Sequence, residues 1–527
     1  MKKLTILTLT CLLLGSLTCS AQIFAGQDIL ITQTEGMPTK QLKFEVFIPS
    51  DTDVNRVLRK TNEGYFVINY DASMQPVGKP IPYNVIPKEA RVLAFEEFAG
   101  ELIIFYTLSP NGFFDKELLL AVVDGNDLST IITPSKLFDL NFRSNYFHYE
   151  ISPDKNKMAV IQFNPSGDEQ QLLVMEMFDD LEFEDPYELS MPDATKIYKL
   201  DFWLTNEGDI FFEGLTYTDE EDYRDRTTIY NRYEISSDEV VTTSFTVENV
   251  GPSLSSGGHI VKRNGNVVFY CAYTNEEDDY NGIKGISYVE YNGIKGISYV
   301  EYNGITGDLI AENDNDLEPS FFYVKEPQKP DAAQRSVYSK LNNKGLSVKI
   351  RGCEEKVDGT VVMITESSWI YNWDTEQQSG TKLSLFDVSV ISFNEEGHVD
   401  WTQKIEKAQY TMEWTSIVRP PYDLDWKKLT HYKMIDDNLH FFFIVNGYGM
   451  PGLNLTKASP YDSYNSSHLA HVRVSMIDGK KSVQSLGVMQ KKQFVPKFKS
   501  FSDLNNGRIT FKSFTKKEVR LGVVTFE

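Results

Sequence analysis

Apolar residues along the chain fall in short runs, such as LIIFYTL at 102–108, KMAVIQF at 157–163, VVFYCAY at 267–273 and LHFFFIV at 439–445. Turn-forming residues bound each run, and helical spacing of apolar positions is scarce. Turns of one kind join two apolar strands at eight places, from Glu63-Gly64 and Ala99-Gly100 to Asp437-Asn438 and Asn506-Gly507. Between them lie seven more polar turns, from Asp71-Ala72 and Asp124-Gly125 to Glu396-Gly397 and Asp478-Gly479. Two hairpins in each ~50 residues make a four-stranded antiparallel sheet, and radial repetition of such sheets makes a β-propeller. The chain is therefore predicted to be all-β, with residues 22–527 forming a single-domain propeller of seven or eight four-stranded antiparallel blades. The last module, Phe494–Glu527, is one hairpin short. A ring closed by both chain ends would explain this. An N-terminal strand such as Gln41–Ile48 would then complete the final blade and remove exposed edges. The competing architecture is two β domains divided near a Pro-containing loop at 319–333; similar strand-turn grammar on both sides favours the ring.

The clearest module begins at Tyr146, YFHYEISPDKNKMAVIQF. Its ISPDKNKMAV core resembles the hairpin of TolB-type and other WD-like propeller repeats, with Lys155 where those repeats carry glycine. The resemblance implies the fold and no particular activity, because propellers host binding, scaffolding and several chemistries.

Tyr280–Glu290 (YNGIKGISYVE) recurs unchanged as Tyr291–Glu301, and a degraded copy, YNGITGDLIAE, follows from Tyr302. Each copy is one strand plus an Asn-Gly pair, the strongest short hairpin signal. One extra antiparallel strand would reverse the direction of everything after it. One copy within 280–301 is therefore expected to project as a loop or hairpin. Asn-Gly pairs at Asn281, Asn292 and Asn303 offer competing registers, which predicts mobility and fast amide exchange through Tyr291–Glu301.

Residues 1–21, MKKLTILTLTCLLLGSLTCSA, have two lysines, an apolar run and small residues before Gln22. This is the pattern of a cleaved secretory signal. Lipoprotein processing at Cys19 fits less well, because Ser16 and Thr18 stand where the lipobox wants an aliphatic and a small residue. The expectation is an exported protein, periplasmic, envelope-associated or extracellular. No later apolar run is long enough to cross a membrane as a helix. Loss of Lys2 and Lys3 with the leader makes the net charge of −23 still more negative, which repels phosphate backbones and argues against nucleic-acid binding. Only Cys271 and Cys353 remain after Cys11 and Cys19. A disulfide scaffold is excluded; two buried thiols are favoured over a single bridge.

Recognisable chemistry is sparse. HExxH, GxSxG and P-loop patterns are absent. A formal GxGxxG spans Gly447–Gly452, but Pro451 and the following LNLTKASPYDSYNSS lack the helix a dinucleotide site needs. His468 and His471 are close in sequence, yet an i, i+3 pair in a strand points to opposite faces. Acidic clusters at Asp219–Asp222, Glu276–Asp279 and Asp314–Asp316 read as solvated loops, and Tyr288 stands where a calcium loop needs its bidentate Glu. No catalytic residue, cofactor or metal is assigned. One anomaly remains: five of the six tryptophans are Trp369, Trp373, Trp401, Trp414 and Trp426. Trp369, Tyr371 and Trp373 alternate beside a polar DTEQQSG stretch and are the candidate ligand-binding residues, with core packing the alternative. The combined reading is an exported, non-enzymatic binding or scaffold protein whose propeller face takes a protein, peptide or glycan. The alternative is a glycan hydrolase with carboxylates at a channel mouth.

Intact-mass analysis of protein purified from the native envelope is expected to give a chain starting at Gln22. A diacylglycerol-sized increment on Cys19 would overturn that expectation.

Overall fold

The computed structural model describes most residues between 24 and 526; the longest stretches outside the description are 1–23, 218–227, 248–257, 275–293, 322–346, 416–429 and 447–458. The leader, the first duplicate copy, the GxGxxG motif, two acidic clusters and Trp426 thus lie outside the described residues. The regular elements within them are β-strands. They form eight sheets, antiparallel apart from one two-residue pairing.

The chain divides into two compact units, Met1–Tyr217 with Ile229–Ser244 and Phe501–Glu527, and Thr218–Thr228 with Phe245–Ser500. In the first unit, sheet one joins Phe44–Ile48, Asn55–Lys60, Tyr65–Tyr70 and Pro76–Tyr83 in chain order. Sheet two runs from Arg91–Phe98 to Thr130–Asn141, sheet three from Tyr146–Ile151 to Tyr187–Met191, and sheet four from Leu200–Leu204 to Glu239–Val247. Sheets five, six and seven belong to the second unit and begin at Gly258–Val261, Ser347–Glu355 and Thr430–Ile435.

Sheet eight is assembled from both ends of the chain. Val495–Asp503, Ile509–Phe514 and Glu518–Phe526 are followed by Ile29–Gln33, with Ile29 opposite Phe526 and Gln33 opposite Gly522. The Thr34 amide extends this ladder to the Leu521 carbonyl at 2.8 Å. Phe44–Ile48, expected to complete this sheet, instead forms the first strand of sheet one. Ile29–Gln33 takes the place, with Ile29 and Ile31 buried.

The central strands of sheets two and six are apolar on both faces because each of these sheets is covered on both sides. In Glu101–Leu108, Leu102, Ile104 and Tyr106 join Leu58, Tyr65 and Val67 of sheet one. The intervening Ile103 and Phe105 join Met158 and Val160 of sheet three. The second unit repeats the device. Val362 and Ile364 of sheet six pack with Phe441 and Phe443 of sheet seven, whereas Val361 and Met363 pack with Tyr270 and Tyr299 of sheet five. Each such side chain contributes ~1.5–3 kcal/mol on burial.

Turns lock neighbouring sheets together. The Ala99 amide donates to the Lys155 carbonyl at 2.7 Å, and Lys155 Nζ meets Glu97 at 2.5 Å. Lys155 holds a left-handed φ of 61°, the conformation glycine supplies more easily, which accounts for the altered SPDG-like turn. In the second unit, Gly397 (φ 81°) and Gly479 (φ 66°) lie against the rings of Tyr299 and Trp401. A Cβ at either would approach ring carbon within 2.3 Å and 2.6 Å respectively, so these turns require glycine for conformation and for space. Trp401 is therefore part of the sheet-to-sheet packing.

The second duplicate copy is an integral strand. Ile294–Tyr302 lies between Val267–Thr274 and Leu309–Asp316, with Ile297 and Tyr299 buried. This overturns the expected fast exchange through Tyr291–Glu301. Antiparallel order survives because sheet five takes one copy as a strand, while the degraded copy supplies the next turn, closed by the Gly307 amide donating to the Asn303 carbonyl. Asp314–Asp316 accordingly belong to a strand. Cys353 is in no disulfide and packs beside the apolar cluster of sheets five and six, so the single bridge weighed above is not formed.

Sheet seven buries two imidazoles. His440 Nδ1 lies 3.0 Å from His471 Nε2, and Gln484 Nε2 lies 2.9 Å from His471 Nδ1. The Gln484 amide N–H donates, so His471 accepts on Nδ1 and donates from Nε2 to His440. Burial, aided by His440 and Arg473, depresses the His471 pKa from 6.5 to about 3. Below pH 6.5 the unfolded chain binds a proton that the folded chain refuses. Stability should therefore fall as pH drops from 6.5 towards 3, by up to about 1.4 kcal/mol per pH unit from this group. Melting temperature measured against pH should show a shallower acid limb in His471→Gln than in the parent; equal slopes would contradict the assignment.

Candidate ligand platform on the sixth sheet

Sheet six departs from the four-strand pattern. Its second and third strands, Val361–Asp374 and Ser379–Phe393, form a long hairpin that outruns the first strand, Ser347–Glu355. The third strand changes partner along its length. Val388–Phe393 pairs with Val399–Ile405, whereas Ser379–Leu385 pairs with Gln409–Thr415. The sheet thus forks into a core part and a three-stranded extension, and the ladder slips between Glu366 and Ser368 at the fork. Such a bulge bends a strand and changes which residues share a face.

A buried ionic cluster holds the fork. Glu366 receives Lys407 Nζ at 2.5 Å on one oxygen and Arg351 Nε at 2.9 Å on the other. Thr430 of sheet seven donates to the same carboxylate at 3.4 Å. Glu366 and Lys407 are 1% and 0% exposed at the side chain, so neither is shared with bulk solvent. Burial alone would raise the Glu366 pKa, but Lys407 and Arg351 hold it below the usual carboxylate range. Burial lowers the Lys407 pKa, against the opposing pull of Glu366. Asp387, in the slipped part of the third strand, has its pKa raised by burial while Lys404 sits 3.0 Å away. It also accepts the Lys407 backbone amide at 3.2 Å, which fixes the connection between the two partner strands.

The extension carries the three sequence-assigned residues. Trp369, Tyr371 and Trp373 occupy alternate positions in one strand, opposite Ser384, Lys382 and Gly380. An uninterrupted ladder over this stretch places all three on one face. Trp414 is in the third strand of the same extension, while Trp401 belongs to the core part, so the tryptophan cluster of the sequence is divided between the two parts of the sheet. The ionic cluster had no sequence signal: its members are spread from Arg351 to Thr430, and only the fork brings them together. Among the described residues no group of three or more His, Cys, Asp or Glu side chains is arranged to hold a metal ion. Among them, too, no helix is long and apolar enough to cross a membrane.

No protein-family model matches the sequence, and no curated protein matches it. Among solved structures, the chain is similar to the WD40 domain of SCAP from fission yeast, at 8% identity and a TM-score of 0.40 over 96% of this chain and 97% of that one. It is similar to the β-propeller domain of the Trilobed protease from Pyrococcus furiosus, at 11% identity and a TM-score of 0.34 over 83% and 94% of the two chains. A prolyl endopeptidase is matched at 11% identity and a TM-score of 0.38 over 90% of this chain but only 55% of its own length.

Removing one member of a buried ion pair leaves the other uncompensated, which typically costs about 3–5 kcal/mol. Glu366→Gln, which strands two cations, should lose more stability than Lys407→Met, which leaves Arg351 paired. Urea unfolding at unchanged m-value is the measurement; a Glu366→Gln loss below that of Lys407→Met would contradict the cluster.

Proposed function

We propose that the chain is an exported, non-enzymatic binding protein built as a β-propeller, its eight sheets being the blades and the Ile29–Gln33 strand closing the last. The extension of sheet six is its ligand platform, and Trp369, Tyr371 and Trp373 are its contact residues. The observation that carries this reading is the fork. Alternating aromatics at Trp369, Tyr371 and Trp373 continue along the second strand beyond Ser368, the last residue paired with Ser347–Glu355, into the part of the sheet that pairs with Ser379–Ser384. Aromatic rings on a strand present broad apolar surface, and indole N–H groups add a polar handle, as ligand surfaces require. The buried ionic cluster at the base makes the platform a fixed part of the blade, which reduces the ordering cost of binding. Repetition of four-stranded sheets in chain order supports the propeller, and the N-terminal pattern supports export.

Replacing Trp369 and Trp373 together with Ala should weaken ligand binding while leaving the melting temperature nearly unchanged. Loss of a buried Trp costs ~3–5 kcal/mol, so a large drop in stability would place them in the core and overturn the platform.

A further inference from the structure

Pro76–Tyr83 is the last strand of sheet one, and among the described strands it pairs with Tyr65–Tyr70 alone. Every residue from Pro76 to Pro82 is exposed, with Val77 at 53% and Ile81 at 54%. A long, uncovered edge strand with apolar side chains is a template on which a further strand can pair. Lys79 is its one charged residue.

The backbone of this edge departs from an ordinary strand. Pro82 lies opposite Phe66, and Pro76 lies opposite Tyr70. Proline has no N–H, so neither can form a hydrogen-bonded pair. Both are the alternate kind of pair, whose backbone groups point away from the partner strand. Beside Pro76, the Asp71 amide donates to the Gln75 carbonyl at 2.9 Å, which fits that alternation. The ladder passes from Val67–Ile81 to Asn69–Val77, so Gly78, Lys79 and Pro80 form a bulge opposite Ile68. Pro80 removes a third donor there. The amides of Val77, Ile81 and Tyr83 stand in the inward-bonded pairs. The outer edge therefore presents carbonyls at Pro76 and Pro82, and its remaining donors are confined to the bulged Gly78 and Lys79.

The last strand of sheet five is protected by other means. Leu309–Asp316 contains no proline and exposes Glu312, Asp314 and Asp316. Like charges on two copies oppose pairing there. Sheet one, with a single lysine on its outer strand, has prolines in that role.

We infer that Pro76, Pro80 and Pro82 close the outer edge of sheet one against a second copy of this chain. Without them, two copies would pair Pro76–Tyr83 strand to strand, antiparallel, about a two-fold axis. Each strand would then have to offer donors to its twin, and the three prolines withhold them. The inner ladder loses nothing by their presence, because the missing amides at Pro76 and Pro82 would face outward.

Sedimentation velocity of the mature chain between ~1 and ~100 µM tests this, with the parent sedimenting at a constant rate throughout. The Pro80→Thr/Pro82→Thr variant restores two donors. It should associate at least ~10-fold more tightly than the parent, with dimer growing across that range. Amide exchange separates edge pairing from other contacts. The new amides at positions 80 and 82 should exchange freely in dilute protein and become protected as the dimer forms. A double variant that stays monomeric overturns the inference, and so does association that leaves both new amides unprotected. Protection of those amides in dilute monomer would show that they point into the sheet, which also overturns it. A parent that itself dimerises would do the same. Should the double variant fail to fold, Pro82→Thr and Pro76→Thr each restore one donor and carry the same two readings.

Discussion

Burial of a central strand on both faces, seen at Glu101–Leu108 and at Val361–Ile364, is the constraint on which the surrounding structure depends. A sheet with one wet face would show strict alternation of apolar and polar residues. Glu101–Leu108 instead buries Leu102, Ile104 and Tyr106 against one neighbour and Ile103 and Phe105 against another. The same division of odd and even positions recurs at Val361–Ile364 in the second unit. Neither of these two sheets buries its apolar strands alone, so each depends on the sheets on its two sides, as in repeat architectures. The turns that lock adjacent sheets, at Ala99–Lys155 in one unit and Gly397 and Gly479 in the other, follow from that dependence.

Much of this was legible in the sequence. Continuous apolar runs marked strands buried on both faces, and Asn, Asp and Gly marked the tight returns between them. The sequence also showed the last module to be short of one strand. It did not show which N-terminal segment would fill the gap, because Gln41–Ile48 and Ile29–Gln33 both read as strands and pairing across nearly the whole chain leaves no local trace. Identical copies have identical propensities, so nothing local in the sequence marked Ile294–Tyr302 as a strand of sheet five.

The extension of sheet six was half legible. Alternating Trp369, Tyr371 and Trp373 stood out against the surrounding composition, whereas its third strand, Gln409–Thr415, did not, because the fork that sets that strand beside Ser379–Leu385 depends on a slipped register near Glu366. Arg351, Glu366, Asp387, Lys404 and Lys407 look like ordinary solvated charges in sequence. Folding brings them to one buried junction, where opposite charge offsets desolvation. The same junction separates the two parts of sheet six, where Val388–Phe393 pairs with Val399–Ile405 and Ser379–Leu385 with Gln409–Thr415.

Adjacent residues of one strand serve two separate interfaces, and a pair of double-mutant cycles tests this division directly. Phe105 stacks on Tyr149 of sheet three with ring centroids 4.8 Å apart, whereas Ile104, next along the strand, belongs to the cluster on the opposite side. With alanine substitutions, the Phe105–Tyr149 pair should show a coupling of about 0.5–1.5 kcal/mol. The Ile104–Tyr149 pair should be additive within ~0.5 kcal/mol. Coupling of Ile104 to Tyr149 as strong as that of Phe105 would contradict the two-faced strand.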